Sequence, residues 1–247
     1  MGLYAAFSFL TRIPLPYIEL DQKHITRSLP FFPVVGAVIG TLLAGVDLLL
    51  KRSIPAPALA CLFVVCETIV TGGLHVDGFA DTMDGLFCGK ERDKKLEVMK
   101  DSRLGAYGAM GVVLLLLLKY SAILSIHQEL RTRLLIVFPV ISRWMMTCAI
   151  TFFPYLREKG LGRAFNENKS SMMFVLSTFF ALMIVFTVAG IEGIKTAFLT
   201  FVSGLLFSLY IFRQLGGMTG DTYGAVNEFS EIAALYFYLI FLGQWSA

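Results

Sequence analysis

Seven stretches of this sequence stay apolar for close to the thickness of a bilayer: residues 33–50, 56–72, 108–126, 134–153, 172–190, 194–212 and 229–245. A helix needs roughly 17 to 25 such residues to cross about 30 Å of hydrocarbon. The runs are continuous rather than alternating, and only helices or closed barrels satisfy every backbone group in lipid. The expected fold is therefore all-α: a polytopic integral membrane helix bundle of about seven transmembrane helices, one domain across residues 1–247 and in contact with membrane lipid. Composition agrees, since 56% of the residues are hydrophobic with Gly left out, against about 45 to 50% with Gly included in soluble domains. A net charge of +3 gives no basic field that would attract nucleic acid. Cys61, Cys66, Cys88 and Cys148 form no CxxC pair and read as small apolar fillers. Residues 1–12 read as an interfacial helix ended by Pro14 and Pro16 rather than as a signal segment.

Lys and Arg are spread unevenly between the two ends of these spans. Fourteen fall on the N-terminal segment, the second and fourth connections and Arg213, and five on the other side, at Lys51, Arg52, Arg131, Arg133 and Lys195. The excess marks the cytoplasmic side, so the N-terminus is expected inside. Every polar, Gly-rich segment of any length falls on that side: 72–85, 100–108, 158–170 and 216–231. A site for a cytoplasmic substrate suits this arrangement. A transporter would need access from both faces.

The segment GGLHVDGFADTMDG (72–85) sets Asp77, Asp81 and Asp84 at i, i+4 and i+7, one face of a helix continuing from the second span. Three carboxylates on one stripe repel unless something cationic joins them. Hard oxygen ligands on a rigid face suit magnesium with a phosphate, and a solvated helix end neutralised by 90–95 is the plain alternative. Gly72, Gly73, Gly78 and Gly85 let helices or a bulky ligand come close. A second segment, GGMTGDTYGAVNE (216–228), aligns with the first without gaps: Gly72 with Gly216, Gly73 with Gly217, Asp77 with Asp221, Phe79 with Tyr223, Asp84 with Glu228. If the echo is more than chance, two acidic helix mouths face each other, with Glu231 extending the second face.

Cations complement these acids. Lys100 and Arg103 in KDSRLGAYG either hold phosphate or simply flank a span. Arg143 lies about halfway along the fourth span, where a guanidinium costs about 2.5 to 3.5 kcal/mol on insertion scales. It must face a polar cavity or an acidic partner, with Glu67 and Asp47 the candidates. Lys119 can snorkel. His75 reads as a general base, a metal ligand or a helix cap. KGLGRAF (159–165) offers Lys159 and Arg163 either to a phosphate or to an ordinary turn.

Together, GGLHVDGFADTMDG, KDSRLGAYG, GGMTGDTYGA with Glu228 and Glu231, FLTRIPLP (9–16) and FFPVVGAVIG (31–40) resemble the cobalamin synthase family, the adenosylcobinamide-GDP ribazoletransferases. The resemblance runs through nearly the whole chain, departing at Phe79 and Met83 where Leu and Ala are expected. It implies a magnesium-dependent step late in cobalamin biosynthesis at the cell inner membrane. Adenosylcobinamide-GDP gives its phosphoryl-linked corrinoid to a ribose hydroxyl of α-ribazole or its 5'-phosphate, and GMP leaves. On this reading Asp77, Asp81, Asp84, Asp221 and Glu228 hold Mg2+. Lys100, Arg103 and Arg143 meet phosphate, and His75 or a carboxylate such as Asp81 takes the proton. Gly72, Gly73, Gly217, Thr219 and Arg163 line the substrate. A homo-oligomer, or association with other cobalamin-assembly enzymes, is a further expectation. Asp81-x-x-Asp84-Gly85 also opens like the CDP-alcohol phosphotransferase motif, but Cys88 and Gly89 stand where Ala-Arg would follow. An ion path through Asp47, Glu67, Lys119 and Arg143 is the transporter alternative.

Overall fold

The computed structural model describes residues 1–89, 91–157, 161–167 and 169–242; Lys90, Lys159 and the end of the last expected span, 243–245, lie outside the described residues. The described chain is a bundle of α1 (Gly2–Leu10), α2 (Gln22–Thr26), α3 (Phe32–Leu50), α4 (Ala56–Thr71), α5 (Leu74–Phe87), α6 (Arg92–Val98), α7 (Ala106–Ser125), α8 (Gln128–Phe152), α9 (Leu161–Glu167), α10 (Ser171–Leu215) and α11 (Gly220–Leu242). It contains no strand, only a bridge between Tyr155 and Met218. Among the described residues five helices are long and apolar enough to cross a membrane, or six if the bent pair α4–α5 is one span. The bundle is a polytopic membrane protein. Exposed Leu, Phe, Val and Ile on α7 and α10 form its outer face, whereas α8 is buried almost along its whole length.

Three features depart from the expected spans. The second span does not continue straight into the acidic segment: α4 and α5 meet at 93°, because Gly72 and Gly73 both take left-handed φ, +66° and +68°, which only glycine adopts at no steric cost. The acids stay on one face of α5, but that face runs across the bundle end. The two expected spans at 172–190 and 194–212 form α10, whose backbone breaks at Gly190 (φ 60, ψ −143). It folds back there, since Phe174 and Phe201 sit 6.5 Å apart and both stack on Trp144, although a straight helix would separate them by about 40 Å. Finally, α11 starts at Gly220 rather than near 229, so Asp221, Glu228 and Glu231 ride on one helix entering the bundle.

The helix ends sort into two groups. At one end the N-terminal segment meets the α4–α5 corner, where the Arg12 N–H donates to Val70 O (2.7 Å). There too α6 meets the α10–α11 turn, with Lys95 and Gln214 hydrogen-bonded. At the other end Lys51, Arg52 and His127–Leu130 line a shared hollow, and buried Arg131 pairs with Asp47 at 2.7 Å. Asp47 is thus the partner of Arg131 and not of Arg143.

Candidate active site

The site forms where α5 crosses α11. A Cβ on Gly78 would lie 2.8 Å from Asp221 O, and one on Gly224 3.1 Å from His75 O, so each helix needs a glycine where the other's backbone passes. The aligned glycines Gly72 and Gly216 also share a conformation, both ending a long helix in the left-handed region. The two acidic segments therefore pack on each other. Asp77, Asp81 and Asp221 face one space and repel one another electrostatically.

Among the described residues the guanidinium of Arg157 answers them. Arg157 Nη2 donates to Asp221 Oδ2 (2.6 Å) and to Met99 O (3.3 Å). Local structure explains its position. The Leu156 N–H donates to Met218 O (2.9 Å) and the Met218 N–H to Pro154 O (2.8 Å), strapping 154–156 to the α10–α11 turn. Gly217 fits beneath this strap, where a Cβ would sit 2.7 Å from Pro154 O. The carboxyl groups of Asp77 and Asp81 have neither a hydrogen bond nor an ion pair among the described residues. A cavity of about 240 Å³ opens beside Asp77 and Asp221, with His75, Asp77, Arg157, Asp221, Tyr155 and Tyr223 at its polar end and Met146, Ile150, Phe9 and Phe165 as its apolar wall. Burial raises the phenol of Tyr155. His75 is 2% exposed and neither ring nitrogen has a hydrogen-bond partner.

Other expected site residues lie elsewhere. Asp84 accepts from the N–H of Gly105 (2.7 Å) and of Gly108 (2.8 Å), one on each oxygen, and so anchors the N-terminus of α7. Asp84, expected among the metal ligands, already accepts one backbone N–H on each of its oxygens. Glu228, also expected there and about 10 Å further along α11 than Asp221, is buried against Lys119 at 2.7 Å. Lys119 also pairs with Glu67 (3.2 Å) and with Glu231. Arg143, wholly buried, pairs with Glu231 and approaches Glu67 at 3.7 Å. Arg143 therefore belongs to an inner cluster of three carboxylates and two cations rather than to a phosphate site. Thr219 is fully buried and caps α11: the Thr222 N–H donates to its hydroxyl (3.3 Å) and its own N–H to Thr222 Oγ1 (2.8 Å). Gly217 and Thr219, expected as substrate contacts, shape the α10–α11 turn, and the Thr219 hydroxyl also reaches Asp221 Oδ2 at 3.5 Å. Gly72 and Gly73 form the α4–α5 corner. Arg103 is exposed and forks onto Asp101 at 2.7 Å, whose carboxyl is held down to about 2 chiefly by that side-chain hydrogen bond. Lys100 is exposed on the same loop, and Arg163 is exposed on α9, whose Gly162 and Phe165 reach the cavity.

Sequence reasoning missed Arg157 and the inner role of Lys119. Arg157 looks like one more positive charge beside a span, and no spacing links it to Asp221; only the strap at 154–156 does. Lys119 shared its span with no acid, so its partners on α4 and α11 could not be read along the chain.

Of the carboxylates expected to hold magnesium, Asp77, Asp81 and Asp221 are the ones whose charges meet in one space. These are hard oxygen donors meeting in one space, two of them without a cation, and they fit the ion chemically; a trio of His, Cys, Asp or Glu already gathered at coordination distances is not found among the described residues. Carboxylates and a guanidinium around a cavity at the end of a lipid-facing helix bundle define the class, a polytopic membrane enzyme. A family model described as cobalamin-5-phosphate synthase matches residues 2–239. Relatives called adenosylcobinamide-GDP ribazoletransferase are 37% identical in Desulfitobacterium hafniense over 94% of both chains, and 38% identical in Geotalea daltonii, again over 94% of both. One in Caldanaerobacter subterraneus subsp. tengcongensis is 38% identical over 97% of this chain and 98% of its own. No solved structure matches. The chain belongs to the cobalamin-5-phosphate synthase family and is a transferase of cobalamin biosynthesis.

Proposed function

We propose that this enzyme transfers the adenosylcobinamide-phosphate group of adenosylcobinamide-GDP to a ribose hydroxyl of α-ribazole or its 5'-phosphate, releasing GMP at the cytoplasmic face of the cell inner membrane. The observation that carries this reading is the convergence of Asp77, Asp221 and Arg157 on one cavity, with Asp81 near enough to repel both acids, in a chain whose relatives bear a name for that reaction. The acceptor oxygen forms a bond to the corrinoid-bearing phosphorus, the phosphorus–oxygen bond to GMP breaks, and the hydroxyl proton passes to a base. Mg2+ held by Asp77, Asp81 and Asp221 would supply charge neutralisation for the diphosphate. Arg157 offers its guanidinium to the phosphate oxygens that gain charge as GMP departs. His75, its ring nitrogens unpartnered, and Asp81 are the groups able to take the proton. Lys100 and Arg103, exposed on the loop that carries Met99 past Arg157, draw the anionic donor toward the cleft. The apolar wall shields the reacting groups from water.

Purified protein in detergent, given both substrates and magnesium, should yield GMP and corrinoid product in equal amounts, and chelation should stop it. Uptake of a solute into proteoliposomes without any turnover would instead favour the transporter built on the inner charges.

A further inference from the structure

Beside the carboxylate cavity lies a second hollow of about 370 Å³ that the reaction as described does not use. The two share Phe9, Leu74 and Phe165 in their walls. The second hollow is floored by the aromatic pair Phe9 and Phe165, whose rings meet edge-on at 5.0 Å. Its polar lining is Ser8, Thr11 and Thr71, together with Arg12. Arg12 is set in place by the fold. Its N–H donates to Val70 O, and its side chain lies across Gly72, where a Cβ would come within 2.3 Å of Nε. Its guanidinium has no carboxylate partner among the described residues.

From these features we infer that the second hollow binds the acceptor, as an aromatic nucleoside carrying a phosphate ester, with Arg12 on the phosphate. This rests on the proposed function. The volume falls in the usual range for small-molecule sites, about 300 to 1,000 Å³. One guanidinium suits one phosphate monoester, hydroxyls suit a sugar, and aromatic edges and faces suit a base. The shared wall sets a ribose bound here next to the space where Asp77, Asp81 and Asp221 meet. The donor's diphosphate then occupies the smaller cavity, while its broad corrin stays outside. Gly72 opens the groove for Arg12, which gives the first glycine of the acidic segment a task besides turning the corner. The same chemistry would recognise a lipid headgroup phosphate.

The test is steady-state kinetics with α-ribazole 5'-phosphate and with free α-ribazole, on wild type, Arg12→Ala and Ser8→Trp. For Arg12→Ala the preference for the phosphorylated acceptor, as a ratio of kcat/KM values, should fall by roughly tenfold to a hundredfold, with the donor KM moved less than twofold. Ser8→Trp alters an exposed position and fills the hollow, and it should raise the KM of both acceptors while sparing the donor KM. An unchanged acceptor ratio in Arg12→Ala, or a raised donor KM in Ser8→Trp, overturns the assignment. So does activity that responds to phosphatidylglycerol in phosphatidylcholine vesicles in wild type but not in Arg12→Ala, equally for both acceptors, because it would give the hollow to lipid. Absence of turnover in the wild type would instead defeat the proposed function itself.

Discussion

Single side chains decide which charges do chemistry and which hold the bundle together. Arg157 lines the cavity and touches Asp221, whereas Arg103 is bound to Asp101 in solvent. Arg157→Ala should lower kcat for GMP release by about 10² to 10³, the loss typical when one preorganised charge donor is removed, and Arg103→Ala by less than about threefold. Equal losses would move the phosphate site onto the 100–108 loop. Lys119 faces three buried carboxylates, so Lys119→Met should destabilise the protein by about 3 to 5 kcal/mol, as when one partner of a buried pair is removed. Unfolding in detergent would check this, and an unchanged midpoint would contradict the ionic account of that cluster. The acids themselves were legible: three at helical spacing and a fourth in an aligned segment. Their surroundings were not, because Asp84 and Glu228 share the spacing but accept from α7's first N–H groups and pair with Lys119, respectively.

Between elements the decisive feature is the α5–α11 crossing. Helices approach this closely only through small residues, and Gly78 has Asp221 backbone where a side chain would go. Gly78→Val should separate the two acidic segments and abolish turnover, while Gly45→Val, in open space on α3, should leave turnover within about twofold. Retained activity in Gly78→Val would mean that the crossing does not build the site. The sequence alignment of 72–84 with 216–228 already pointed to this pairing. It did not disclose the 93° corner, because paired glycines in a sequence signal a turn without its angle, nor that 154–156 would strap onto the α10–α11 turn, since nothing local encodes a contact that distant.

Across the whole molecule, hydropathy carried most of the architecture: the positions of α3, α4, α7 and α8 and both arms of α10 follow from apolar run length alone. Where polar residues enter a helix the reading slipped, as with α11, whose first turns carry Asp221, Thr222 and Asn227 and looked like a loop. The charge imbalance and the grouping of helix ends support a cytoplasmic N-terminus and site. A cysteine placed at Lys100 in a chain without its four native cysteines should react with an impermeant maleimide only in inverted vesicles, and one placed at Arg52 only in right-side-out vesicles; the reverse pattern would turn the molecule over. The central claim, that two acidic segments more than 130 residues apart in the chain make one catalytic site, is tested most directly by GMP formation in Asp81→Asn, Asp221→Asn and the double variant. Each single change should lower turnover at least about a thousandfold in folded protein, and the double variant little further, as happens when residues act as a unit. Wild-type turnover in Asp221→Asn, or losses that simply multiply, would contradict it.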